Sequence, residues 1–178
     1  TGNSILEEDS GFTWEKNFPT IFNDPLLKKN EERLKLTEKL VDGFDIIIGN
    51  PPYGADLTKK EQDFLNQKFG ISSTDTAQLF MKLSYDLLKP GGYHGFIVPK
   101  ALIYASNWDG IRKYLIDDLH LLIDVGKVWK EVKLEQSVYV LKKGLSSSTY
   151  LNGQRIKEHL HTIYEIDKKE YDKFGFFL

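Results

Sequence analysis

The chain has 178 residues, of which 40% are hydrophobic and 28% charged, so it is globular and large enough for one domain with a sizeable core. The formal net charge of −2 gives no electrostatic case for nucleic acid, and the absence of cysteine excludes disulfides and thiolate metal sites. No apolar run approaches the length of a membrane span, so we expect no membrane partner.

The first strong pattern in chain order is the run Phe-Asp-Ile-Ile-Ile-Gly at residues 44–49. Consecutive β-branched residues predict a strand buried on both faces, as in a parallel α/β sheet. Asn50, Pro51, Pro52 and Tyr53 follow and stop the strand abruptly. Because open α/β sheets bind ligands at the carboxyl ends of their strands, we expect a functional site at this loop.

The residue types of this loop indicate what it binds. A residue before proline avoids the helical region, so Asn50 stays extended, and two prolines remove two backbone donors. The acceptors that remain are the Asn50 side-chain oxygen and the carbonyls of Asn50 and Pro51. Tyr53 adds a flat ring, and Gly54 permits close approach of another group. The loop suits a planar substrate with an amino group; a plain strand-ending turn is the alternative interpretation.

Helices and strands alternate along the rest of the chain. The periodicity predicts helices at residues 58–70 and 75–89, the second ended by Pro90-Gly91-Gly92, and a third helix with Trp108, Ile111 and Leu115 on one face. Further strands are predicted at residues 96–98, 119–125 and 137–141. Three consecutive serines within residues 142–149 predict a linker, and residues 150–178 have a mixed pattern.

The sequence from Phe44 to Gly54 resembles motif IV of the amino-methyltransferases that use S-adenosylmethionine, above all the adenine-specific DNA methyltransferases of bacterial restriction–modification systems. It is most similar to the large type II enzymes that fuse methyltransferase and endonuclease on one chain. Residues 75–80 resemble motif V, residues 87–100 motif VI, and residues 123–129 motif VII and the start of motif VIII. The likeness covers residues 44 to 142 in the family's order.

This resemblance implies the C-terminal half of a Rossmann-like class I methyltransferase domain, an α/β fold whose mostly parallel sheet contains one antiparallel strand. The four predicted strands take the order 4-5-7-6 in family numbering. Residues 2–6 resemble motif III, and no glycine-rich cofactor turn precedes Asn50. We therefore expect a fragment that starts after the cofactor motif and is inactive alone. Residues 1–143 form its partial catalytic domain, and residues 144–178 a linker and the start of the next region.

The resemblance also assigns catalytic roles. The Asn50 side chain and the Pro51 carbonyl accept hydrogen bonds from the two N–H groups of an adenine amino group. Pro52 stiffens the turn, and Tyr53 stacks on a base flipped out of double-stranded DNA. Trp129 matches the position of a second stacking aromatic, with packing at a strand end as the alternative.

Other residues are matched to the cofactor and to DNA. Asn3 and Asp75 are the expected S-adenosylmethionine contacts, although Asp75 also suits a helix N-cap. Lys100, Lys127 and Lys130 are the expected phosphate contacts, each with a solvated surface as the alternative. No metal is implied, and the expected location is the bacterial cytoplasm.

Three other functions share parts of this pattern. The Asn-Pro-Pro-Tyr motif also occurs in methyltransferases that act on a glutamine of peptide release factors, RNA adenine methylation is a second alternative, and a degenerate DNA-binding or scaffold domain is the third. In a fragment, the apolar edge of residues 44–49 would need cover from a second copy or from the N-terminal residues. Self-association through this edge is therefore a further expectation.

Overall fold

In the computed structural model, the first predicted strand is one edge of a sheet. The model describes residues 14–18, 21, 43–54, 58–70, 75–130, 132–145, 147–157 and 159–177. The strands are β1 (Phe44–Gly49), β2 (Leu88–Pro99), β3 (Leu119–Gly126), β4 (Gln136–Lys142), β5 (Thr149–Ile156) and β6 (His159–Asp167). The α-helices within these ranges are α1 (Trp14–Asn17), α2 (Lys59–Phe69), α3 (Thr76–Asp86), α4 (Ala101–Tyr104), α5 (Asp109–Leu115) and α6 (Lys169–Phe174).

The strand order in the sheet is β1-β2-β4-β3-β5-β6. β1 is parallel to β2, and β3 is parallel to β5, whereas β4 is antiparallel to both of its neighbours. The connections explain these directions, because α2 and α3 supply the crossover that a parallel pair needs. The described residues between β3 and β4 contain no helix. The predicted order 4-5-7-6 is confirmed for β1 to β4, and so is the mostly parallel α/β fold. The expectation of a single antiparallel strand is wrong for the described sheet, because β6 is also antiparallel to its neighbour β5.

One face of the sheet packs against α3, α4 and α5. On β2 the alternate residues His94, Phe96 and Val98 are buried and point toward these helices. From the helical side, Trp108, Ile111 and Leu115 fill the same core, which confirms the face predicted for them.

The predicted end of α3 is wrong. The helix stops at Asp86, and residues 90–92 lie inside β2. Gly92 is needed there because a Cβ atom would lie 3.0 Å from the carbonyl oxygens of both Lys89 and Phe44. The Lys143 ammonium donates to the carbonyls of Tyr85 at 3.0 Å and Leu88 at 2.8 Å, which satisfies acceptors at the helix end. Tertiary contacts therefore satisfy the end of the helix, and Gly92 serves strand packing. Gly91 has φ +80°, a backbone conformation that favours glycine, and a Cβ atom there would meet no other atom within 4 Å.

The prediction that β1 is buried on both faces is also wrong for the described part of the protein. Ile47 packs against the core, but Ile46 is 63% exposed and Ile48 is 79% exposed. The reason is position: β1 is the outermost strand of the described sheet, and no described helix covers the face that carries these two residues. Near the start of β1, the rings of Phe18 and Phe44 meet edge to face with centroids 5.5 Å apart. Self-association at this edge stays a prediction.

The sheet continues past the predicted linker. β5 pairs with β3 and β6 pairs with β5, so residues 149–167 extend the sheet that contains the loop of interest. No strand was predicted in this region from the sequence. The division of the chain at residue 143 stays a prediction about the whole protein.

Candidate functional site

The Asn50–Tyr53 loop lies at the carboxyl end of β1, as predicted. Asn50 is exposed, Pro51 is buried and Tyr53 is half-buried. Among the described residues, none hydrogen-bonds to the Asn50 side chain. Gly54 has φ +69°, and a Cβ atom built there would have no other atom within 4 Å, so there is open space above it. The loop is therefore an open, acceptor-rich surface beside an aromatic ring.

Two hydrogen bonds from distant parts of the chain hold this loop. Thr76, the first residue of α3, donates from Oγ1 to the Pro52 carbonyl at 2.9 Å. Gln136, the first residue of β4, donates from Nε2 to the Tyr53 hydroxyl at 3.0 Å. Both donors are buried, at 2% and 1% exposure. Neither bond was predicted from the sequence, because partners 24 and 83 residues apart leave no local signal.

A cavity of about 330 Å³ opens beside the loop, and Tyr53, Gly54, Asp75 and Lys100 line it. The cavity is at the small end of the range for ligand sites, about 300–1,000 Å³, which suits one planar base. The remaining lining residues are Pro99, Ala101, Tyr104, Lys133, Leu134 and Glu135. Three predicted site residues thus meet the same cavity from three different elements.

Other predicted site residues lie outside this lining. Asn50 precedes the part of the loop that forms the wall, and Pro51 and Pro52 shape the turn. Trp129 is 37% exposed in the connection between β3 and β4 and is not part of the wall, where Tyr104 and Leu134 provide the additional apolar surface. Its stacking role stays a prediction.

Lys100 is held by two carboxylates. Its Nζ lies 2.8 Å from Asp124 Oδ2 and 2.9 Å from Glu135 Oε2, and its backbone N–H donates to the Glu135 carbonyl at 2.9 Å. Hydrogen bonds to Asp124 and then Glu135 raise the pKa of the Lys100 ammonium. Lys100 therefore joins the ends of β2 and β3 to the start of β4.

The remaining predicted contacts differ in how the structure places them. Lys127 and Lys130 are exposed between β3 and β4, and phosphate binding by them and by Lys100 stays a prediction. Asp75 is the N-cap of α3, where its Oδ1 accepts from the Ala77 N–H at 2.9 Å, and it also lines the cavity. Asn3 lies outside the described residues.

Metal-binding clusters and membrane-spanning helices are absent from the described residues. Within the described ranges, no group of three or more histidine and carboxylate side chains is placed to hold a metal ion. None of the helices there is long and apolar enough to cross a membrane. The arrangement that the structure provides is thus a fixed set of acceptors and a positioned ring beside a small cavity.

The matches to known proteins agree with one another in the kind of protein they name. The model of the Eco57I restriction-modification methylase family matches residues 2–128. The type II methyltransferase M.VspI from Vibrio sp. (strain 343) is 30% identical over 147 residues, which cover 79% of this chain and 36% of the relative. The type II restriction enzyme and methyltransferase RM.Eco57I from Escherichia coli is 36% identical over 85 residues, covering 44% of this chain and 8% of the relative.

Solved structures share the fold. A type I restriction-modification methyltransferase subunit from Streptococcus thermophilus aligns with TM-score 0.59 and 16% identity, over 80% of this chain and 38% of that one. The type IIG restriction endonuclease BpuSI aligns with TM-score 0.59 and 17% identity, over 74% of this chain and 20% of that one. The chain spans well under half the length of these relatives and structures.

Proposed function

We propose that this chain, which belongs to the Eco57I restriction-modification methylase family, carries the part of an adenine-specific DNA methyltransferase that holds the target amino group. The observation that carries the proposal is the fixed Asn50–Tyr53 loop at the carboxyl end of β1, with its cavity of about 330 Å³. The substrate is double-stranded DNA from which the target adenine has been flipped, because its amino group cannot be reached inside a duplex.

The loop acts on the adenine amino group through acceptors. That nitrogen is a poor nucleophile because its lone pair is delocalised into the ring. The two N–H groups of this nitrogen donate hydrogen bonds to the Asn50 side-chain oxygen and the Pro51 carbonyl. These bonds favour the tetrahedral nitrogen that develops during transfer. The Pro51 carbonyl is in place beforehand, since the prolines and the Thr76 bond fix the backbone of the turn, so little reorganisation of this acceptor is needed.

The Tyr53 ring stacks on the flipped base. Stacking of a base on an aromatic side chain contributes about 1–3 kcal/mol. It also fixes the angle at which the amino nitrogen meets the methyl donor, and such positioning is a main source of rate enhancement. Once the new carbon–nitrogen bond has formed, the nitrogen loses its extra proton to water, so the loop needs no general base before attack.

S-adenosylmethionine is the methyl donor that family membership implies, and when bound it supplies an electrophilic methyl group on a sulfonium. The Asp75 carboxylate fits this role, because it lines the same cavity as Tyr53 and a negative charge suits a cationic sulfonium. Asp75 is the one predicted cofactor contact that lies within the described residues. We infer that residues 1–178 alone neither bind the cofactor measurably nor transfer methyl groups; micromolar binding in calorimetry would contradict this.

The test is Asn50→Ala in the full-length enzyme, with single-turnover methyl transfer to duplex DNA and identification of the methylated base by mass spectrometry. Removing a preorganised group that acts in the transition state typically lowers the rate about 10²–10³-fold. Asn107→Ala is the matched control, because Asn107 is exposed and its side chain makes no hydrogen bond to a described residue, while its backbone carbonyl accepts from Gln78.

The outcomes separate the competing functions. A full rate for Asn50→Ala shows that the catalytic assignment is wrong. Methylated cytosine in place of N6-methyladenine contradicts adenine specificity. Faster transfer to an RNA of the same sequence favours RNA as the substrate, and DNA binding without any transfer favours a degenerate binding domain.

A further inference from the structure

The Tyr53 side chain is fixed at both ends. The Pro52 carbonyl just before it is held by Thr76 on α3, and its hydroxyl is held by Gln136 on β4. Because the backbone just before the ring and the hydroxyl at its tip are both restrained, these bonds fix the long axis of the ring and hence where the ring can meet a base. We propose that Gln136 is a positioning residue that orients Tyr53 to stack on the target base; this inference rests on the proposed function.

The place of Gln136 in the sheet makes it a rigid support. It begins β4 at the point where Pro99 of β2 and Gly126 of β3 are its neighbours on either side. The preceding residue, Glu135, is tied to Lys100 through both its backbone carbonyl and its side chain. The backbone that carries this amide is therefore held between the ends of β2 and β3 at the site.

The hydrogen bonding of Gln136 favours this role over a purely stabilising one. The side chain is 1% exposed, its Nε2 bonds to the Tyr53 hydroxyl, and its Oε1 has no partner within the described ranges. A buried polar atom without a partner is destabilising, so an apolar side chain of the same size would serve folding at least as well. What glutamine adds at this position is the donor directed at Tyr53.

Gln78 is a second buried glutamine and serves as a control for Gln136. Gln78 is equally buried, at 1% exposure, and its Nε2 donates to the backbone carbonyl of Asn107 at 3.2 Å. That bond joins α3 to the turn before α5 and touches no part of the Asn50–Tyr53 loop. The chain thus has two buried glutamines with one donated bond each, and only one of them holds the ring.

The experiment is a double-mutant cycle in the full-length enzyme with Gln136→Met, Tyr53→Phe and both changes together. The readouts are the single-turnover methyl-transfer rate at saturating DNA and cofactor, and the thermal unfolding midpoint. Gln136→Met is expected to lower the methyl-transfer rate about 2- to 10-fold, which corresponds to the net free energy of one hydrogen bond. Its unfolding midpoint is expected to be unchanged or higher. Tyr53→Phe lowers the rate by a similar factor, and the double variant is no slower than the slower single variant.

Gln78→Met is expected to lower the unfolding midpoint and leave the methyl-transfer rate within about 2-fold of the unchanged enzyme, since its bond serves packing alone. Multiplicative losses in the cycle would overturn the inference, as would a rate for Gln136→Met equal to that of Gln78→Met. If Gln136→Met fails to fold, Tyr53→Phe decides alone: an unchanged rate overturns the inference, and a 2- to 10-fold loss supports it.

Failure of the proposed function gives a different result. An unchanged enzyme that methylates no adenine refutes the proposed function and this inference with it. Normal adenine methylation combined with multiplicative losses refutes the role of Gln136 alone.

Discussion

His94 makes the stability of the protein sensitive to mild acid. The side chain lies on β2 with no exposed surface, and its ring packs edge to face against Phe96 and Tyr139, with centroids 4.3 and 5.3 Å away. Burial lowers the pKa of the His94 imidazole from 6.5 to about 3. The imidazole is therefore neutral in the folded protein at any pH where the protein is expected to work.

The sign and size of the effect follow from proton linkage. Between pH 6.5 and about 3 the unfolded chain binds a proton at His94 and the folded protein does not, so stability is complete above pH 6.5 and falls as the pH is lowered. Each pH unit in this window costs about 1.4 kcal/mol, which gives a loss of about 2 kcal/mol at pH 5. That is a large share of a typical unfolding free energy of about 5–15 kcal/mol.

The measurement is urea unfolding at pH 8 and pH 5 for the unchanged protein and for His94→Gln. The variant has no proton to bind at this position, so its loss of stability between the two pH values should be smaller by about 2 kcal/mol. His120→Gln, at an exposed position on β3, is the matched control for the substitution itself. An equal loss for His94→Gln and the unchanged protein would refute the reasoning.

Two further predictions concern packing. Gly92→Ala places a methyl group 3.0 Å from carbonyl oxygens of β1 and β2, so we expect it to lower the free energy of unfolding by about 1–3 kcal/mol in urea. Gly110→Ala adds a methyl group in open space on α5, so it should raise the free energy of unfolding by about 0.4–1 kcal/mol. Equal effects would contradict the close packing of β1 on β2. Arg112, 2% exposed, donates to the carbonyls of Leu102 at 3.2 Å and Ala105 at 2.7 Å, so Arg112→Met should lower stability by about 1–3 kcal/mol in the same assay. An unchanged unfolding midpoint would show that these carbonyls do not depend on the guanidinium.

Local patterns were enough to predict the first four strands and the helices α2, α3 and α5, but not the short helix α4 or the end of α3. The β-branched run at residues 44–49 and the buried spacing of Trp108, Ile111 and Leu115 reflect strand and helix periods that each segment carries in its own sequence. The same applies to the Asp75 cap, whose bond to Ala77 spans two residues. Family motifs supplied the strand order, which periodicity alone does not contain.

The later strands were not predictable in the same way. β5 reads Thr-Tyr-Leu-Asn-Gly-Gln-Arg-Ile, with a glycine and several polar residues that weaken any strand signal. Its strand state depends on pairing with β3 and β6, a contact that forms only when the sheet is assembled. β1 shows the opposite case, because its apolar sequence predicts burial that its position at the edge of the described sheet does not provide.

The sequence by itself determined the chemistry of the loop: Asn50, Pro51, Pro52 and Tyr53 fix a rigid set of acceptors beside a ring, because proline restricts the backbone wherever it occurs. Only the tertiary structure decided how that loop is held. Thr76 and Gln136 reach it from a helix and a strand, and Lys100 is bound by two carboxylates from other segments. The physical reason is that hydrogen bonds and ion pairs act over a few ångströms in space, while their partners lie tens of residues apart in the chain.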